Sequence, residues 1–418
     1  MIEFEFLHAI VECFLKIIHN LNMASISELF RNHNLYPEFI QVKSRLQRHQ
    51  FVCWLAGGAV RDLYLDRPCA DFDLVTDAST ENLKQIFPEA LLVGEKFGVL
   101  KIVLKGGFYF DLTTFRQESD YLDGRRPSSI SASTPLKDAL RRDFTVNALF
   151  WDDENQVLID YVGGVQDINL KRLVAVGSPV VRFGEDYLRI IRLLRFSAQL
   201  SFSIEEETLR AAKILMGSID KVSGERIWSE LKKITSADQW NFVKEQTLFK
   251  LFWKQIFQTE LPEIAKLNSN EENSLHLYFL LSYKIDNFLV RKKILSGKLR
   301  LSNVELLKFE YLHRAQAELI ILPIEKISLE LEDEPLLRSC FCYLVSQGLF
   351  EDVKFQKCLD ILSQYPRSLI GGENLKDLIP PQLIGVALRD ARLKQFEGVI
   401  KTRQEALDYI KIHFARSP

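Results

Sequence analysis

The twenty residues LAGGAVRDLYLDRPCADFDL, positions 55–74, set paired glycines after an apolar run, then an Arg-Asp pair, then two aspartates one residue apart. A glycine turn that opens a helix offers backbone N–H groups to an anion. Two adjacent carboxylates repel one. A cation between acids and anion reconciles the two halves of the stretch. In a strand, residues i and i+2 share a face, so Asp71 and Asp73 stand side by side. Hard oxygen ligands with open positions suit Mg²⁺, which takes one or two carboxylates together with substrate phosphates. Asp111, in FYFDLTTF, falls on a second strand-like run. It supplies a third carboxylate, the layout of a two-metal phosphoryl-transfer site. Gly57 and Gly58 form the cradle, and Arg61 in the first helical turn can clamp outer phosphates. Taken singly, D-x-D also serves as a turn or helix cap and GG as a tight turn. The combination within one short stretch favours the phosphate and metal reading.

The rest of the chain supplies the setting. Its 418 residues exceed a single core and imply roughly two to four structural units. A net charge of −2 gives no global attraction for nucleic acid, so a polyanion would bind through local basic patches. Six cysteines show no C-x-x-C pair and no disulfide-like ladder, consistent with reduced thiols in the cytoplasm. The opening MIEFEFLHAIVECFLKII carries Glu3 and Glu5 where an export signal needs basic residues, and Glu12 and Lys16 inside its apolar run. It reads as an amphipathic helix, with Met23 an alternative start. No apolar run approaches membrane-spanning length, and the expected compartment is cytoplasmic.

Local texture divides the chain. Residues 1–50 read as a helical extension. Over 51–177 short runs rich in branched and aromatic residues (FVCWLAG, DFDLVT, GVLKIVL, FYFDLTTF) read as strands, with ENLKQIF and PLKDALRRDFTVNALF as helical segments between them. Beyond Pro179 apolar residues recur at helical spacing. The expected class is α+β: a head with a small mixed sheet, then a helical neck (178–240), body (241–365) and tail (366–418). The loop-like QYPRSLIGGENLKDLIPP separates the last helical segment.

The stretch LAGGAVRDLYLDRPCADFDLVTDAS resembles the signature of class II tRNA nucleotidyltransferases and bacterial poly(A) polymerases, within the DNA polymerase β-like superfamily. The likeness continues in order through DLTTFR, YLDGRRP, LRRDFTVNAL, DYVGGVQDI, RFGEDYLRIIRLLRF and SGERIWSEL. It covers about residues 50–235, and a weaker echo lies in LKQFEGVIKTRQEAL. It implies Asp71 and Asp73 as Mg²⁺ ligands, Gly58 and Arg61 at the triphosphate, Arg142 at the nucleotide, and Asp143 and Asn147 near the sugar. Arg142 read alone is better taken as one half of an exposed Arg141-Arg142 pair, since most arginines are exposed.

In EDYLRIIRLLR, Asp186, Arg189, Arg192 and Arg195 are three apart, so on a helix adjacent members are neighbours. A solvated basic face would show the same pattern. Cytosine and adenine, however, share an exocyclic amino donor beside a ring-nitrogen acceptor. A carboxylate and a guanidinium together read both; uracil and guanine present the reverse and leave buried groups unpaired. Asp186 and Arg189 are the pair expected to do this, as the resemblance also implies. Arg192 and Arg195 are left for phosphate or for holding the aspartate.

The implied activity is template-independent addition of CCA to tRNA 3′ ends from CTP and ATP, releasing pyrophosphate. QESDYLDGRRPSS retains the full length of a loop that CC-only enzymes shorten. Tyr187 stands where poly(A) polymerases usually carry proline. Addition of A alone, beside a separate CC-adding enzyme, is the main alternative, then poly(A) synthesis, then an inactive RNA-binding scaffold. No histidine occurs between His49 and His276, which excludes a histidine general base within the head. Arg389, Arg392, Lys394, Lys401 and Arg403 cluster in the tail, either as phosphate contacts to tRNA or as a solvated helix face.

Overall fold

The computed structural model describes residues 26–69, 72–93, 99–104, 109–121, 127–263, 266–268, 275–283, 287–332 and 334–414. Asp71, most of the YLDGRRP loop and the first 25 residues lie outside them. The chain forms two compact units, Met1–Val222 with Thr247–Gln255, and Ser223–Gln246 with Ile256–Pro418.

Among the described residues the first unit begins with two helices, α1 (described over 26–31) and α2 (Tyr36–Arg48). The elements that follow are β1 (Trp54–Ala56), α3 (Gly58–Tyr64), β2 (Asp73–Thr76), α4 (Thr80–Ile86), β3 (Leu91–Val93), β4 (Val99–Val103) and β5 (Tyr109–Thr114). Next come β6 (Arg116–Tyr121), β7 (Pro127–Ala132), α5 (Pro135–Leu140), β8 (Leu149–Asp152), β9 (Val157–Asp160), α6 (Gly164–Asn169) and β10 (Arg172–Leu173). The unit continues with α7 (Pro179–Glu185), α8 (Leu188–Leu200), β11 (Ser203–Ile204) and α9 (Glu206–Leu215). Among the described residues a seven-stranded mixed sheet runs in the order β3-β4-β5-β2-β1-β8-β9. Within that sheet, β2 and β5 form the one parallel pair.

Register explains which residues face which way. Trp151, Leu55, Leu74, Leu112 and Leu100 form one continuous cross-strand row, and all are buried. One residue along, the row reads Phe150, Ala56, Asp73, Asp111, Lys101, on the opposite face because strand side chains alternate. That face also carries the core of Ala56, Val75, Phe115, Ala139, Ala148, Phe150 and Val176.

Three local expectations are corrected. PLKDALRRDFTVNALF is not one helix: α5 ends at Leu140, Phe144 is extended and bridges Ala175, and LFWD forms β8. Phe150 and Trp151 are fully buried on opposite faces of that strand, which a sheet interior accommodates and a one-sided helix does not. The polar segments RQESDY and PSSISA pair as the β6–β7 hairpin. Within the region read as purely helical, Ser203–Ile204 pairs in parallel with β10.

One turn fixes the floor beneath β8. Asp160 accepts hydrogen bonds from the backbone N–H groups of Val162, Gly163, Gly164 and Val165 at 2.9–3.1 Å, which holds the start of α6. Thr145 Oγ1 then donates to Asp167 Oδ2 at 2.6 Å, so the turn bearing Asn147 is tied to α6. The second unit is helical in its described residues. Its tail core gathers Ile370, Leu375, Ile379, Ala387, Ala391, Ile400, Ala406 and Ile410.

A Cβ at Gly164 would lie 2.2 Å from the Thr145 carbonyl oxygen, which is backbone and cannot swing away. Gly164→Ala is therefore expected to destabilise the first unit by about 3 kcal/mol, read as a lowered melting transition. Gly184→Ala, whose Cβ meets open space, should leave that transition unchanged or raise it slightly.

Candidate active site

The site begins with the parallel β2–β5 pair. Asp73, exposed at the start of β2, is the register partner of Asp111 on β5. Antiparallel pairing of β4 then brings Lys101 opposite Asp111. Lys101 Nζ lies 3.3 Å from Asp111 Oδ1, an ion-pair contact without hydrogen-bond alignment. Burial alone would lower the Lys101 pKa, but the Tyr109 hydroxyl and the Asp111 carboxylate outweigh it and hold it above its ordinary value. Its ammonium also sits 3.4 Å from the Tyr109 ring centroid.

On the other side of Asp73 in the same row is Ala56, and Gly57 follows as the residue before α3. Gly57 adopts φ 71°, and a Cβ there would meet Arg142 Nη1 at 2.7 Å. The missing side chain is what lets this guanidinium lie against the turn. Arg142 Nη1 donates to the Asn147 carbonyl at 3.0 Å, and its Nε and Nη2 donate to Asp138 at 3.2 and 3.1 Å. Arg141 donates to the other oxygen of Asp138 through Nε at 2.9 Å and Nη2 at 2.6 Å. Asp138 is completely buried. Burial pushes its carboxyl up, yet Arg142 and Arg141 together hold it below its ordinary range. Arg141 and Arg142 are thus not an exposed surface pair.

Arg61 is also buried. It grips Asp62 through Nε and Nη2, both at 2.9 Å, and donates from Nη1 to Asn147 Oδ1. Asn147 Nδ2 donates to Asp143 Oδ1 at 3.3 Å, and Arg192 Nε donates to Asp143 Oδ2 at 2.7 Å. Burial raises Asp143, but the charge of Arg192 and its hydrogen bond prevail and hold the carboxyl at about 2.

The α7–α8 junction differs from expectation. Asp186 is not on the arginine helix. It is extended (φ −151°, ψ 106°) between α7 and α8, and its Oδ1 accepts from the Leu188 N–H at 3.1 Å. An aspartate that captures the first backbone donors of the following helix favours this boundary position over a helix interior. Arg189 donates to Glu185, to the Arg182 carbonyl at 2.7 Å and to the Arg141 carbonyl at 3.3 Å. Arg182 donates to Glu185 at 2.8 Å. Arg195 turns to Gln199 Oε1 at 2.8 Å. Arg189 and Arg195 are under a tenth exposed, so α8 does not present a solvated basic face.

The structure therefore joins Arg61, Arg142, Asp143, Asn147, Arg189 and Arg192 in one hydrogen-bonded region adjoining Asp73 and Asp111. Its guanidiniums (Arg61, Arg141, Arg142, Arg182, Arg189, Arg192) outnumber its carboxylates (Asp62, Asp138, Asp143, Glu185), which leaves positive potential beside an acidic row. The sequence reading missed Asp138, Glu185 and Phe196. The first two stand three or four residues from the arginines they anchor, the spacing of helical ion pairs. Phe196 carries no sequence signal; its ring lies under the guanidiniums of Arg195, Arg61 and Arg192 at 3.7, 5.2 and 5.2 Å. Among the described residues no group of three metal-ligating side chains forms, Asp71 lying outside them.

In the second unit the tail cations occupy different surroundings. Arg392 is buried and spends its donors on Glu332, Gln395 and the carbonyls of Tyr365 and Arg367. Arg389 pairs with Glu330 and Lys394 with Glu397. Lys401 and Arg403 are exposed.

This mixed-sheet head with its in-register acids and arginine cluster has known counterparts. Residues 53–174 match the family described as Poly A polymerase head domain, and residues 201–267 match Probable RNA and SrmB- binding site of polymerase A. The CCA-adding enzyme of Streptococcus suis is 32% identical over 399 residues, covering 89% of this chain and 95% of the relative. That of Lactococcus lactis is 42% identical over 213 residues, 49% of this chain and 52% of the relative. Among solved structures, the Bacillus stearothermophilus CCA-adding enzyme in complex with CTP superimposes with a TM-score of 0.69 at 21% identity, covering 90% of this chain and 97% of the other. The Thermotoga maritima CCA-adding enzyme complexed with tRNA gives 0.63 at 19% identity, covering 92% and 98%. These structural likenesses concern the fold. The head defines a nucleotidyltransferase of the polymerase β-like superfamily. The chain belongs to the family of CCA-adding enzymes.

Because Asp143 is held at about 2 in the fold against an ordinary 3.8, its stabilising effect is complete above the ordinary value and is lost as pH falls toward 2. Denaturant unfolding of the first unit should weaken across that window, and Asp143→Asn should be less stable at neutral pH yet show a shallower acid decline.

Proposed function

We propose that this protein rebuilds tRNA 3′ ends by adding C, C and A from CTP and ATP and releasing pyrophosphate. The observation that carries the reading is the in-register pair Asp73–Asp111 beside a cation-rich cluster within one unit. The family relationship supports the choice of substrates. The work would be done in the cytoplasm; among the described residues no helix is long and apolar enough to cross a membrane.

The residues fit Mg²⁺. Oxygen donors stand on adjacent strands, and Asp111 Oδ1 is buried without a hydrogen-bond donor. Asp73 and Asp111, joined by Asp71, would hold the ion, which when bound lowers the pKa of a hydroxyl and neutralises charge on phosphate oxygens. The chain's own groups do the rest. In the reaction the primer 3′-oxygen forms a bond to the α-phosphorus and the bond to pyrophosphate breaks. The turn at Gly57-Gly58 and the cluster of Arg61 and Arg142 receive the triphosphate, with Asp143 and Asn147 toward the sugar. Their prior engagement fixes the guanidiniums before substrate arrives, so little reorganisation accompanies binding.

Base choice falls to the α7–α8 junction. Asp186 offers an acceptor to the amino group that C and A share, and Arg189 a donor to the adjacent ring nitrogen. Arg189 must turn one donor from Glu185 or the Arg141 carbonyl toward the base. Arg192 and Arg195 support this from Asp143 and Gln199. In this reading 51–177 is the catalytic head and the neck, 178–240, carries the templating junction. The body, 241–365, and the tail, 366–418, carry the tRNA. Lys401 and Arg403 are the tail cations open to phosphate, while Arg392 braces the tail from within.

The test uses three tRNA transcripts, lacking CCA, ending in C and ending in CC, with Mg²⁺, CTP and ATP, resolved at single-nucleotide resolution. All three should converge on CCA and stop. Growth of the CC-ended transcript alone would identify an A-adding enzyme, and a long A ladder a poly(A) polymerase. Asp73→Asn should lower incorporation by more than about 100-fold, beyond the loss typical of an outer-shell partner, and Asp186→Ala should admit UTP or GTP.

A further inference from the structure

The N-terminal helices have no part in the reading above, yet they reach the acidic row from behind. Phe72 immediately precedes Asp73, and its ring stacks on Phe110 at 6.0 Å. Phe110 and Asp111 face opposite sides of β5, so Phe72 lies on the face away from the carboxylates. There α1 covers it. The Phe30 ring lies 5.2 Å from Phe72, and the His33 ring, in the turn between α1 and α2, 4.5 Å from it. Phe30 and Phe72 are essentially inaccessible.

His33 also grips the backbone. Its Nδ1 accepts the Leu35 N–H at 3.2 Å, which leaves Nε2 to carry the proton and donate to the Cys69 carbonyl at 2.9 Å. The turn is itself anchored to the head. Lys43 on α2 pairs with buried Asp153 at 2.9 Å, Tyr36 donates to the same carboxylate at 3.4 Å, and Arg45 pairs with Glu89 beyond α4. Cys69 is thus held at its carbonyl, Phe72 at its ring, and Asp73 in the strand that follows.

We propose that His33 is a positioning residue for Asp73, acting through the Cys69 carbonyl and the Phe72 ring to keep the acidic row ready for a divalent cation. The proposal rests on the metal reading of that row. Fixing a ligand from behind is the usual task of outer-shell groups, whose loss weakens metal affinity by about 10–100-fold.

The experiment titrates full-length protein with Mn²⁺, reading free ion by electron paramagnetic resonance, and follows hydrogen exchange over residues 67–76. His33→Ala should weaken Mn²⁺ binding about 10-fold and speed exchange there. His33→Gln, which keeps a donor for the Cys69 carbonyl, should restore most of both. Val42→Ala loosens the buried side of α2 without touching the His33 contacts to Cys69 and Phe72, and should lower the melting temperature while keeping native Mn²⁺ affinity. Unchanged affinity in His33→Ala, or equal weakening in Val42→Ala, overturns the proposal. So does a native protein whose Mn²⁺ binding survives Asp73→Asn. If the His33 pattern holds while no transcript is extended, tRNA addition fails and the positioning role stands.

Discussion

Two carboxylates held opposite each other across a parallel strand pair repel, and the head is arranged around that repulsion. Parallel pairing of β2 with β5 puts Asp73 and Asp111 at one level, and the connection it requires is supplied by α4 and the antiparallel β3–β4 excursion. That excursion returns β4 with Lys101 in the same row. A cation of the protein therefore flanks the acids on one side and the guanidinium cluster on the other. The buried row behind, Trp151 with four leucines over five strands, supplies the apolar burial that outweighs the local electrostatic cost.

The guanidinium cluster obeys a second rule. A buried arginine is tolerated when its donors are met, and Asp138, Asp143, Glu185 and Asp62 meet them together with backbone carbonyls. Each carboxylate stabilises a charge that would otherwise resist burial, while Arg142 and Arg141 hold Asp138, and Arg192 holds Asp143, below the ordinary carboxylate range. The result is a rigid field whose sign is fixed before any ligand enters. Phe196 adds a ring face that three of the arginines share, edge-on to Phe144 at 5.8 Å.

What could be read in the chain followed the range of each interaction. The glycine turn and the D-x-D pair are local, so LAGGAVRDLYLDRPCADFDL disclosed them, and period-two texture placed Asp111 on its own strand. Three-residue spacing persists through Asp186 and predicts it on the helix, whereas its carboxylate captures the Leu188 N–H and ends the continuity. LFWD passed for helix because its neighbours are amphipathic, and only burial on both faces identifies it as β8. The β6–β7 hairpin lacks apolar alternation altogether. Asp138 meets Arg141 and Arg142 at local helical spacing and was legible in principle, whereas Phe196 meets Arg61 only through folding, and the touch of His33 on Cys69 depends on how α1 lies over the sheet.

Gly57 limits how this site can change over evolutionary time. Two separate barriers guard the position: a left-handed backbone that side chains disfavour and the guanidinium of Arg142 where a Cβ would stand. A shorter residue at 142 removes only the second, and it abandons Asp138 and the Asn147 carbonyl in doing so. Neither position offers a neutral first step toward the other's replacement. The pair is an epistatic lock, and lineages diverging in the helical half would carry it forward unaltered.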